Sequence, residues 1–81
     1  MYIGIDVSKA KLDVSSTTWE SVEQFTNNNK GIEKLLKRLS GESPELVVME
    51  ATGGYERLVA KTLQSKGIKL AVVNPWQTHN F

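Results

Sequence analysis

Apolar residues along this chain recur with two periods. From Tyr2 to Val7 they alternate: Ile3, Ile5 and Val7 share one side, and Tyr2, Gly4 and Asp6 share the other. That is the two-residue period of a β-strand. Lys11 to Ser16 alternates through Leu12 and Val14, and the short Ser8-Lys9-Ala10 link predicts an antiparallel hairpin. A polar turn over Ser15–Ser21 then leads into a third, weaker strand over Val22–Thr26.

The period changes after Asn27-Asn28-Asn29, a cluster suited to a turn and a helix start because Asn side chains cap free backbone N–H groups. Ile32, Leu35, Leu36 and Leu39 follow at i, i+3, i+4 and i+7, one apolar helix face that Gly41 and Pro44 terminate. Leu46 to Met49 is a continuous apolar run, the pattern of a strand covered on both faces. Thr52-Gly53-Gly54 predicts a tight turn. Beyond it, Tyr55, Leu58, Val59, Thr62 and Leu63 form a second helical stripe closed by Gly67. Lys69–Val73 reads as a fifth strand, broken by Asn74-Pro75. The order is β-β-β-α-β-α-β, and its last three elements make a βαβ unit with a parallel pair and a right-handed crossover.

Composition narrows the class. At 81 residues, with 40% hydrophobic and 23% charged side chains, the chain is expected to form one small, soluble, folded domain. It has no Cys, which excludes disulfides and thiolate metal sites and points to a reducing compartment, the cytoplasm. The apolar runs are too short to cross a bilayer, and Met1 leads into a strand without the basic and apolar regions of a secretory signal. The formal net charge of +1 lends no support to nucleic-acid binding by charge alone.

The chemistry sits at two strand ends. Asp6 closes an apolar alternation, and Glu50 closes Leu-Val-Val-Met-Glu just before the glycine turn. An ionised carboxylate buried there would cost several kcal/mol unless paired or bound to a cation. If the first and fourth strands are parallel neighbours, about 4.8 Å apart, both carboxylates lie together at the carboxyl ends, where open α/β sheets place ligands. Two hard oxygen donors suit Mg²⁺ or Mn²⁺. The competing reading has both acids facing solvent or pairing with Lys9 or Lys11. Hairpin parity puts Asp13 on the Asp6 face, where a cross-strand pair with Lys9 or Lys11 is the favoured reading.

The remaining polar features favour plain roles. Gly53-Gly54 could present N–H groups to a phosphate, but a Gly-Gly pair serves equally as a β–α turn. Glu56 falls where an acid capping the second helix would fall, and Thr52 is a candidate N-cap. Lys30, Glu33, Lys34, Lys37 and Arg38 are expected on a solvated helix face. Trp19 and Trp76 fall in turns and are expected to pack over the sheet edge rather than stack on a base. His79 has no neighbouring ligand residue.

Four blocks in order carry a family resemblance: Tyr-Ile-Gly-Ile-Asp-Val-Ser-Lys-Ala-Lys-Leu-Asp-Val over 2–14; Phe25-Thr-Asn27 with Gly31; Val-Val-Met-Glu-Ala-Thr-Gly-Gly-Tyr-Glu over 47–56; and Val-Val-Asn-Pro-Trp-Gln over 72–77. Together they resemble the amino-terminal part of the DEDD insertion-sequence transposases, related to the Piv DNA invertase. The resemblance implies a ribonuclease-H-like, RuvC-like fold with a mixed sheet ordered 3-2-1-4-5. It also implies a DNA-cutting and rejoining enzyme whose divalent metals, Mg²⁺ or Mn²⁺, are held by four acids. Asp6 matches the first acid and Glu50 the second. The other two belong to a Lys-Thr-Asp-x-x-Asp-Ala stretch expected beyond Phe81, so residues 1–81 are expected to be a partial RuvC-like catalytic domain. A structured guide RNA is a further partner the resemblance implies, and bacterial or archaeal cytoplasm the setting. An incomplete sheet cover leads to the expectation of self-association.

Two rival readings share some of these features. Sugar kinases and actin-like ATPases also open with a Gly-Ile-Asp strand and a hairpin, whose turn contacts ATP phosphates. They usually carry Gly-Thr or Gly-Thr-Ser where this chain has Ser8-Lys9-Ala10, and they have no use for Glu50 before Ala-Thr-Gly-Gly-Tyr. The third reading is a non-catalytic interaction module.

Overall fold

A computed structural model describes residues 1–50 and 53–73. It contains five strands, β1 (Tyr2–Val7), β2 (Lys11–Ser16), β3 (Glu23–Thr26), β4 (Leu46–Glu50) and β5 (Leu70–Val73), and two helices, α1 (Asn29–Leu39) and α2 (Arg57–Ser65). The strands form one sheet ordered β3-β2-β1-β4-β5. β2 is antiparallel to β1 and β3, while β4 is parallel to β1 and β5. This is the mixed sheet of a ribonuclease-H-like α/β fold. The expected turn at Thr52, the break at Asn74-Pro75, and Trp76, His79 and Phe81 lie outside the described residues.

Alternation decides which sheet face is covered. Register pairs Ile5 with Val14 and with Met49, and Ile3 with Val47, so the buried strand residues share one side. Ile32, Leu35 and Leu39 of α1 and Val59 and Leu63 of α2 join that same core, which places both helices on one face. The double cover expected for β4 is therefore corrected among the described residues: Val47 and Met49 are buried, whereas Leu46 and Val48 are only half-buried. The second apolar stripe is also narrower than expected. Tyr55 lies before α2, and both it and Leu58 are exposed.

The entry to α1 is tightly specified. Asn28 is the N-cap, its side chain accepting from Gly31 N at 2.8 Å and from the Thr26 hydroxyl at 2.9 Å. A Cβ on Gly31 would collide with the Thr26 carbonyl oxygen, so only glycine lets the helix approach β3 this closely.

Arg38 departs from the solvated face expected of it. Its guanidinium makes hydrogen bonds of 3.1 and 3.0 Å from Nε to Glu23, pairs with Glu42 at 3.2 Å, and lies 4.1 Å over the Trp19 ring. Desolvation opposes the charge, but the hydrogen bonds and negative charges of Glu23 and Glu42 outweigh it and hold the Arg38 pKa above its ordinary value. Trp19 is half-buried, packed against the core with the Arg38 guanidinium over its ring.

Candidate active site

The uncovered face of the sheet carries the acids. The β1–β4 ladder runs from Tyr2 opposite Leu46 to Ile5 opposite Met49. Asp6 and Glu50 are the next residues on these neighbouring parallel strands, and by alternation both sit on the face away from the helices. On the other side of β1, Asp13 is the cross-strand partner of Asp6, and Gln24 is in turn opposite Asp13. Glu50 is opposite Val73 of β5. The result is a transverse row, Gln24, Asp13, Asp6, Glu50, Val73, near the carboxyl ends of β1 and β4. From Asp13 to Val73 the row borders an open trough of about 680 Å³, lined also by Gly4 and Ser15.

Small residues keep that trough open. A Cβ on Gly4 would meet Ser15 Oγ at 3.2 Å, closer than ordinary contact. The Ser15 hydroxyl donates to Gly4 O at 3.4 Å and so lies flat along the strand pair.

Several expectations change here. Asp6 and Glu50 are both exposed, so the cost of burying an unpaired charge does not by itself demand a cation. The case for metal rests instead on their places at the ends of neighbouring parallel strands. Among the described residues, no group of three or more His, Cys, Asp or Glu side chains is close enough to hold a metal ion. Asp13 pairs with neither Lys9 nor Lys11; its Oδ1 accepts from Gln24 Nε2 at 2.9 Å, and the ion pairs of the described residues do not involve Asp6. The donor chemistry fits a hard divalent ion, and two carboxylates leave most of its coordination to other groups.

The turn after β4 differs from a simple phosphate cradle. Gly53 and Gly54 take left-handed backbone angles, φ 58° and 94°. Gly54 N donates to Glu56 Oε1 at 3.1 Å, so this N–H is committed within the turn. Glu56 occupies the N-cap position of α2 but makes no side-chain cap bond to the helix; its φ of −77° and ψ of −14° are already helical. Its buried carboxylate faces back towards the turn, correcting the capping role expected of it.

Asn27 has a role of its own beyond the turn and helix-start cluster to which its pattern assigns it. Its Nδ2 donates both to Ser8 O at 2.9 Å and to Tyr55 O at 3.0 Å. Its backbone N–H donates to Ala10 O at 2.9 Å. The available signal was three consecutive Asn residues where a single cap, Asn28, suffices.

Comparison with known proteins places this geometry in a family. Residues 3–81 match a DEDD-type insertion-sequence family described as transposase. The pilin gene-inverting proteins of Moraxella lacunata and Moraxella bovis are each 32% identical over 87 aligned residues, which cover 99% of this chain. The chain spans only 27% of the length of each of these relatives. With nearly its whole length matched, the chain belongs to the DEDD insertion-sequence transposase family, and it aligns with about a quarter of the pilin gene-inverting proteins.

Proposed function

We propose that this chain is the amino-terminal part of the catalytic domain of a DNA transposase or recombinase, in which Asp6 and Glu50 together hold divalent metal. The observation that carries the reading is their placement side by side on the parallel strands β1 and β4, on the face the helices leave open. When bound, Mg²⁺ or Mn²⁺ would orient a nucleophile and stabilise the leaving oxygen of a phosphodiester. Asp6 and Glu50 supply anionic oxygens for it, and Gly4 and Ser15 leave room above the sheet for a DNA strand to come close. Asp13, held by Gln24, adds negative charge beside Asp6 without a place in the proposed ligand set.

The kinase-like alternative is less well supported. A phosphate-binding hairpin needs uncommitted donors in its turn. Here Ser8 N donates to Lys11 O at 2.9 Å, and Ser8 Oγ exchanges hydrogen bonds with Lys11 O and Lys11 N. A structured guide RNA, and self-association through the open face or an open edge strand, extend the proposal to partners. No helix among the described residues is long and apolar enough to cross a membrane.

The test uses the full-length protein with a duplex carrying its recombination site. Asp6→Asn and Glu50→Gln are each expected to reduce Mg²⁺-dependent strand cleavage to background while circular dichroism stays unchanged. Cleavage retained in both variants overturns the assignment. The isolated 81-residue chain, with two of the four family acids, is expected to leave DNA intact.

A further inference from the structure

The two carboxylates stand just beyond the last backbone pairing that joins their strands. β1 and β4 are in register up to Ile5 and Met49, one residue short of Asp6 and Glu50. Past that point β1 runs on to Val7, paired with β2, and β4 runs on to Glu50, paired with β5. Asp6 is held laterally by β2 through Asp13, and Glu50 by β5 through Val73. The loop after β4 also contains Gly53 and Gly54 at positive φ, residues whose backbone accepts many conformations. A cross-link beyond the ladder, between the chain after β1 and the chain after β4, would help hold the two strand ends in step.

Asn27 occupies that place. Ser8, two residues after Asp6, and Tyr55, just past the glycine pair, both present their carbonyl oxygens to the same Asn27 amide nitrogen. The bond from Asn27 N to Ala10 O grips the other arm of the β1–β2 turn. Asn27 is itself anchored between β3 and the capped start of α1, where Asn28 and Gly31 fix the chain against Thr26. Chemistry explains the residue type. One short side chain must donate two hydrogens from one atom; Ser and Thr carry one, Asp carries none, and Gln carries two on a longer arm.

We propose that Asn27 is a positioning residue that ties the loop after β1 to the loop after β4 and so sets the spacing of Asp6 and Glu50 for metal. This rests on the reading that these two carboxylates share a metal site. Loss of the tether leaves each strand intact but lets the two ends drift. Groups that orient metal ligands typically carry about 10- to 100-fold in metal affinity or activity.

The full-length protein is compared with Asn27→Asp, which keeps the shape, removes both donors and turns a carboxylate towards two carbonyls. The readouts are Mn²⁺ affinity by electron paramagnetic resonance, the Mg²⁺ concentration giving half-maximal strand cleavage, DNA affinity, and melting temperature. Asn27→Asp is expected to weaken Mn²⁺ binding about 10-fold or more and to raise the Mg²⁺ requirement in parallel, with DNA affinity within about twofold of the parent. Asn27→Ala, which removes the donors without adding charge, is expected to show the same pattern more weakly. Mn²⁺ affinity within twofold of the parent in both variants overturns the proposal. So does failure of both to fold, because Asn27 then serves the fold as a whole. Asp6→Asn separates the two levels. If it keeps Mn²⁺ affinity, the metal site itself is misassigned; if it loses affinity while Asn27→Asp does not, only the tether is wrong.

Discussion

The two faces of the sheet are made from alternate residues of the same strands, yet they obey different rules. On the helix side, Ile3, Ile5, Val7, Leu12, Val14, Val47 and Met49 are each at most 4% exposed. On the other side, Gly4, Asp6, Asp13, Ser15, Val48 and Glu50 are exposed or half-buried. The first face removes apolar surface from water, and that burial drives folding. The second face spends some stability: Asp6 sits directly opposite Asp13, and like charges in that position are unfavourable. Stability and proposed chemistry are thus separated by the two-residue period of a strand.

Substitutions on the two faces should therefore differ in size and even in sign. The largest effect is expected from Leu35→Ala, at a fully buried position of α1 against the covered face. It should cost about 2–5 kcal/mol, read as a lower urea midpoint. A cost below about 1 kcal/mol would mean that α1 contributes little to the core. Asp6→Asn is expected to do the opposite on the open face. Removing one of two facing carboxylates should raise stability by up to about 1 kcal/mol, even as cleavage is lost. A clear loss of stability would show that Asp6 holds the fold, and the division between faces would fail.

The smallest effect should come from the rim of the open face. The Glu45 carboxylate, first as a hydrogen-bond acceptor for the Tyr2 hydroxyl and then through its negative charge, pushes the Tyr2 pKa above its ordinary 10.0. A raised folded-state pKa stabilises fully below the unfolded value, and that contribution fades as pH rises through the folded value. Melting temperature should therefore decline slightly more between pH 10 and 11 in the parent than in Tyr2→Phe. The difference should be slight, because Tyr2 is 52% exposed. Identical slopes in the two proteins would remove any role for the Glu45 contact.

Much of this arrangement was legible from residue pattern. The alternation in 2–7 and 11–16 delimited β1 and β2 as observed, and the stripe from Ile32 to Leu39 located α1. The other boundaries moved by a residue or two: β3 starts at Glu23, β4 extends to Glu50 and β5 starts at Leu70. Asp6 and Glu50 stood out because each puts a charge at or next to the end of an apolar strand. Arg38 and Glu56 were misread for a common reason. Arg38 has the spacing of a solvated helix position, but its partner Glu23 is fifteen residues away on another element. Glu56 has the spacing of a cap, but the turn folds its carboxylate back onto Gly54.

Local period determined the elements, because the direction of each side chain follows from backbone geometry within a few residues. It also determined which residues could face the core and which strand ends carried acid. Only the tertiary structure decided that both helices cover the same face, leaving the acids exposed. Only it showed that the β1–β4 ladder stops one residue short of those acids, and that the Asn27 amide spans the gap beyond. These outcomes depend on contacts between residues nineteen and twenty-eight positions apart. Packing brings such residues together, and no periodicity along the chain records it.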